Sequence, residues 1–159
     1  MTKRPFVFIL ALGVAVVGAG LSAIEGTTAG PSAPNAMAQQ AQKNVWERVY
    51  TEAQATRGQE TYQQKCVACH LETLEGDGIA PALIGSAFFT RWSTMTVSDL
   101  FTTVSSAMPQ DDPGSLTPQV YADVISYLIK RNEIPAGDAE LPPDTEKLKG
   151  ILITEKPAQ

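Results

Sequence analysis

The stretch Lys65–His70, KCVACH, contains both cysteines and the only histidine of a 159-residue chain. Two thiols and one imidazole at this spacing suit few chemistries, and the rest of the sequence chooses among them. A disulfide between Cys66 and Cys69 would close a very small loop and constrain little of the unfolded chain. A thioredoxin-like redox pair belongs beside a βαβ pattern, which the sequence lacks. A structural zinc site needs four ligands, whereas Cys66, Cys69 and His70 supply three with no further Cys or His to complete the set. Covalent attachment of one haem c uses all three residues. Each cysteine forms a thioether, and the adjacent His70 presents an imidazole nitrogen to the iron.

The second axial ligand is sought among the remaining soft donors. No second histidine exists, and Met1 and Met37 lie in the N-terminal segment, so Met95 and Met108 are left. Met95 lies in RWSTMTVS just ahead of a helix, where it reads as core filler. Met108 stands in a loop stiffened by Pro109 and Pro113, which suits a weak ligand held against the iron, and it is the favoured candidate. His/Met ligation raises the reduction potential and closes both axial positions, which fits electron transfer better than catalysis on a bound substrate.

Working outward, Thr51 and Gln54 fit a capping box that opens a helix of about four turns ending near Cys66. Gly58 falls within it, where it costs ~1 kcal/mol relative to alanine unless another element approaches closely. Tyr62 lies on the same face. Leu71–Gly85 reads as loop. TVSDLFTTVSSAM is a second helix, with Thr96 as N-cap, Asp99 as its capping partner, and Leu100, Phe101 and Val104 facing inward. After the MPQDDPGSL loop, Thr117–Pro118 opens a last helix stopped by Pro135–Gly137. The expected fold is all-α: a small domain with long loops, its helices wrapped around one covalently bound haem. So little regular structure buries a meagre core, and a planar apolar cofactor would complete it.

At the N-terminus, Lys3 and Arg4 precede an apolar run from Pro5 to Ala23, and Ala36–Met37–Ala38 has the form read by a signal peptidase. The expectation is a signal peptide over residues 1–38, with retention as a membrane anchor the alternative. A flexible lead-in at 39–48, the haem-binding helical domain at 49–137 and a tail at 138–159 follow. The mature protein is then periplasmic or otherwise extracytoplasmic. The formal charge is −5, which argues against nucleic acid and for encounter with a partner carrying a basic patch.

From about Val49 to Gly137 the sequence resembles class I c-type cytochromes, through RGQETYQQKCVACH, APALIG, MPQDDPGSL and YADVISYLIKRN. The last two segments look most like the cytochrome domains associated with PQQ-dependent alcohol dehydrogenases. The resemblance implies that Gly58 and Tyr62 meet the last helix near Tyr127 and Leu128. It also implies that the Pro81 carbonyl receives the second nitrogen of His70, that Leu83 packs on the haem, and that the Trp92 indole approaches a propionate. Leu71 departs from the pattern, since many members have glycine after the histidine. Redox protein partners are implied, a PQQ-dependent dehydrogenase or a terminal oxidase among them. The function expected is electron carriage rather than enzymatic catalysis. A haem-based gas sensor with a displaceable methionine and an electron-transfer subunit of a dehydrogenase complex are the alternatives. Glu72, Glu75 and Asp77 read as a solvated loop.

Overall fold

The structure, a computed structural model, describes residues 42–158. The expected signal peptide or anchor lies outside the described residues. Among them no helix is long and apolar enough to cross a membrane.

Among the described residues six α-helices, a single 3-10 turn (Val45–Glu47) and one short parallel strand pair make a mostly α domain: α1 (Glu52–Lys65), α2 (Val67–His70), α3 (Gly85–Trp92), α4 (Val97–Ala107), α5 (Pro118–Arg131), α6 (Thr145–Leu148), β1 (Lys43–Asn44) and β2 (Ile151–Leu152). This is the small, mostly helical architecture expected. Three of the helices start where short-range capping chemistry dictates. Thr51, Thr96 and Thr117 each accept a backbone N–H from the first turn, and Pro118 occupies the first turn of α5 where its missing N–H costs nothing. In α4 the cap is reciprocal, with the Asp99 carboxylate accepting the Thr96 N–H at 2.8 Å.

Helices α1 and α5 cross at Gly58. A Cβ there would overlap the carbonyl of Asp123 and come within 2.9 Å of the Val124 nitrogen. The closest approach is therefore one turn earlier on α5 than the expected Tyr127 and Leu128. Tyr62, one turn further along α1, does meet Tyr127, with ring centroids 5.2 Å apart. Buried Asp123 is neutralised at the crossing by the Arg57 fork, with N···O distances of 2.9 and 3.0 Å, and accepts from Gln119 as well. An ionised group leaves water only when paired in this way.

Four expectations are corrected. Gln54 caps nothing with its side chain. It is fully buried, donates to the Leu141 carbonyl at 2.9 Å and accepts the Leu141 N–H at 2.7 Å. The stretch before 49 is not a loose lead-in over its described part: Lys43–Asn44 pair with Ile151–Leu152, and Val45 is fully buried. Nor is the stretch after 137 a mere tail. Leu141, Leu148 and Ile153 are fully buried in one cluster with Val45, Phe88 and Ile125, so the packed unit extends past both ends of 49–137. Finally, α5 stops at Arg131, ahead of Pro135–Gly137, because Asn132 caps it and Glu133 turns left-handed at φ 62°.

Candidate haem site

α1 delivers Cys66 as its C-cap residue, and the single turn α2 then places Cys69 and His70. The two thiols are free. Cys66 is half-buried, and burial pushes its thiol up to about 11. A protonated thiol is a poor nucleophile, so Cys66 resists adventitious oxidation. Cys69 is exposed beside it.

His70 is buried, and its Nδ1 lies 3.0 Å from the Pro81 carbonyl oxygen. A carbonyl only accepts, so Nδ1 carries the proton and donates. The lone pair of the ring is thereby left on Nε2, the arrangement in which an imidazole binds a metal with a backbone carbonyl behind it.

The turn after His70 is fixed from several sides. Leu71 has φ 62° and ψ 163°, a region essentially reserved for glycine. Its N–H donates to Val67 at 2.9 Å, and its carbonyl accepts the Tyr62 hydroxyl at 2.8 Å. Leu83 lies partly buried against a small cluster of Tyr62, Leu74, Tyr127 and Leu128, against which Cys66 and Val67 also pack. Asn132, at the end of α5, donates to the Leu83 carbonyl at 3.0 Å and accepts the Gly85 N–H at 2.9 Å. It thus starts α3, a helix that begins where the expected Leu71–Gly85 loop ends and that the sequence pattern did not assign.

Met108 is the C-cap of α4 and is half-buried. Its carbonyl accepts the Tyr121 hydroxyl at 2.7 Å, and Pro109 after it is buried. Met95 is 37% exposed, and its carbonyl accepts the Ile153 N–H at 2.8 Å, so its backbone is tied to the C-terminal strand. Trp92 is buried in the main cluster at the end of α3, with the Arg91 guanidinium 5.2 Å from its ring centre. Among the described residues no group of three or more His, Cys, Asp or Glu side chains could hold a metal ion, so Glu72, Glu75 and Asp77 do not gather into a cation site.

Sequence reading missed Asn132, Gly76 and Asp77. The signal for the last two was present in EGDG, a turn-forming tetrapeptide.

The mostly helical fold and the CxxCH turn with its carbonyl-held histidine are the features expected of a small haem c domain. Residues 53–128 match the family model described as cytochrome c oxidase, cbb3-type, subunit III. The match runs from the first turn of α1 into α5, and so takes in Cys66, Cys69, His70, Pro81 and Met108. It supports a class I c-type cytochrome, and such a domain implies haem c and redox protein partners. No curated protein and no solved structure matches the chain.

Proposed function

We propose that this chain is an exported single-haem c-type cytochrome that carries one electron at a time between redox proteins. The single observation that carries the reading is the His70 ring, held by Pro81 with Nε2 left as its free lone pair and flanked by two unpaired thiols. Bound haem c supplies a one-electron iron couple. The free thiols and the oriented ring fit it: Cys66 and Cys69 would hold it through thioethers, with His70 and Met108 as the residues that would ligate its iron. Leu83 and Val67, left partly buried at the edge of their cluster, supply apolar wall. Trp92 serves the main core, a role that does not depend on a propionate.

Met108 is preferred to Met95 because Tyr121 anchors its carbonyl at the end of α4, whereas the Met95 backbone is engaged with the C-terminal strand. Neither the acidic loop nor Ser105 and Ser106 has a base beside it, since the lone histidine is committed to iron. Electron transfer, not acid–base catalysis, is what these residues can perform. The match to subunit III of a cbb3-type oxidase favours electron delivery towards a terminal oxidase over receipt from a quinoprotein dehydrogenase.

The test is the absorption spectrum of haem-loaded protein, oxidised and reduced, with and without carbon monoxide. A low-spin spectrum with the far-red methionine–iron band, unaffected by carbon monoxide and lost in Met108→Ala but not Met95→Ala, is the expected result. A high-spin spectrum, or rapid carbon monoxide binding by the intact protein, overturns the carrier and supports a gas sensor.

A further inference from the structure

The His70–Pro81 contact is held by a turn whose shape depends on two residues outside the ligand set. Gly76 has φ 72°, and its N–H donates to the His70 carbonyl at 3.2 Å, tying the turn to the ligand's own backbone. A Cβ on Gly76 would overlap the Ala80 carbonyl oxygen and come within 2.9 and 3.0 Å of the carbonyl carbon and oxygen of Pro81. Only glycine lets the chain close here. Asp77 then accepts two amides through one oxygen, Ile79 N–H at 2.9 Å and Ala80 N–H at 2.8 Å. These are the last two amides before Pro81, which has no N–H of its own. Buried Leu74, whose carbonyl accepts the Leu83 N–H at 2.8 Å, anchors the base of the loop, but packing does not hold the turn's apex, where the Ile79 side chain is 94% exposed. The hydrogen bonds of Asp77 and the bare Cα of Gly76 therefore set where the Pro81 carbonyl sits.

We propose that Gly76 and Asp77 are positioning residues for His70, holding the Pro81 carbonyl on Nδ1 and so setting the donor strength of Nε2 and the reduction potential of the site. The proposal rests on the haem reading above. A firm Nδ1–H···O bond puts electron density on the ring and favours the oxidised iron. Loosening it favours the reduced form and raises the potential. Because the Asp77 carboxylate is solvent-exposed, its contribution is to geometry, and its charge is screened by water.

The test is a spectroelectrochemical titration of the haem-loaded parent, Asp77→Ala, Asp77→Asn and Glu75→Gln, with the exchange rate of the His70 Nδ1 proton followed by NMR. Asp77→Ala should raise the reduced-to-oxidised ratio at a fixed solution potential about tenfold, which is about 59 mV for a one-electron couple, and should speed Nδ1 proton exchange. Asp77→Asn loses the same charge but keeps an oxygen acceptor, and should stay within about twofold of the parent. Glu75→Gln should not move. A shift in Asp77→Asn or Glu75→Gln as large as in Asp77→Ala would assign the effect to charge and overturn the proposal. So would an Asp77→Ala protein that keeps both the parent potential and the parent exchange rate. A parent protein with no haem spectrum removes the haem reading and this proposal together. A haem-loaded parent indifferent to Asp77→Ala removes this proposal alone.

Discussion

Replacing Leu71 with glycine and, separately, with alanine should reverse the usual order of stability of these two residues. Leu71 sits at φ 62°, ψ 163°, where a Cβ meets its own backbone and the cost is about 1–3 kcal/mol. The conformation cannot relax cheaply, because Val67 holds the Leu71 N–H and the Tyr62 hydroxyl holds its carbonyl. Both variants lose the leucine side chain, which is 39% exposed, so the lost burial cancels between them. Alanine keeps the strain. Glycine sheds it but gives back about 0.5–1 kcal/mol through the greater freedom of its unfolded chain. The difference leaves Leu71→Gly more stable than Leu71→Ala by about 1 kcal/mol. Urea denaturation of the haem-loaded proteins reads this directly as a change in midpoint with unchanged slope. If Leu71→Ala is the more stable by about 0.5–1 kcal/mol, the ordinary order, then the turn is not strained and the reasoning fails.

Gly58→Ala should destabilise the domain by about 3 kcal/mol or more, since its methyl meets the Asp123 carbonyl at the α1–α5 crossing and only separation of the helices makes room. A thermal melt close to that of the parent would show the crossing to be looser than described. Gln54→Ala orphans the N–H and carbonyl of buried Leu141, at about 2–4 kcal/mol. Limited proteolysis should then cut after Gly137 first, and uniform resistance along the chain would refute the clamp. Tyr50 donates to the Ile134 carbonyl at 2.6 Å, and burial, followed by the nearby Glu52 charge, pushes its phenol up to about 12. The unfolded phenol, near 10, releases its proton first. Tyr50 therefore contributes stability that is fully present below about pH 10 and is lost as pH rises to about 12, on the order of 2–3 kcal/mol. Burial raises the Tyr62 phenol too, which adds to the same decline. Denaturation midpoints across that window should fall less steeply in Tyr50→Phe; an equal slope would exclude Tyr50 as a source.

The features legible in the amino-acid sequence are those whose cause lies within a few residues. Thr51, Thr96 and Thr117 start their helices because a hydroxyl meets an amide two or three positions on. Cys66, Cys69 and His70 come together because their spacing is one helical turn. Helix α3 escaped because nothing local starts it. Ile84 offers no side-chain cap, and the first N–H is accepted by Asn132 from another helix while Phe88 and Trp92 find burial in the core. Gln54 shows the same limit in reverse: its local signal as a capping partner is genuine, yet two buried hydrogen bonds to a distant backbone outweigh one at an exposed helix end.

The all-α class, the helix starts and the three residues of the CxxCH turn follow from local order in the chain. That the residues after 137 join the core, that Gly58 faces Asp123, and that the Gly76–Asp77 turn lies behind the Pro81–His70 contact emerge from the folded chain. Capping and helical spacing act between neighbours in the chain, so they can be read in order. Burial and hydrogen-bond completion act between segments far apart in the chain, as between Gln54 and Leu141, 87 residues apart. Such pairings are selected only when the whole chain competes for the same interior.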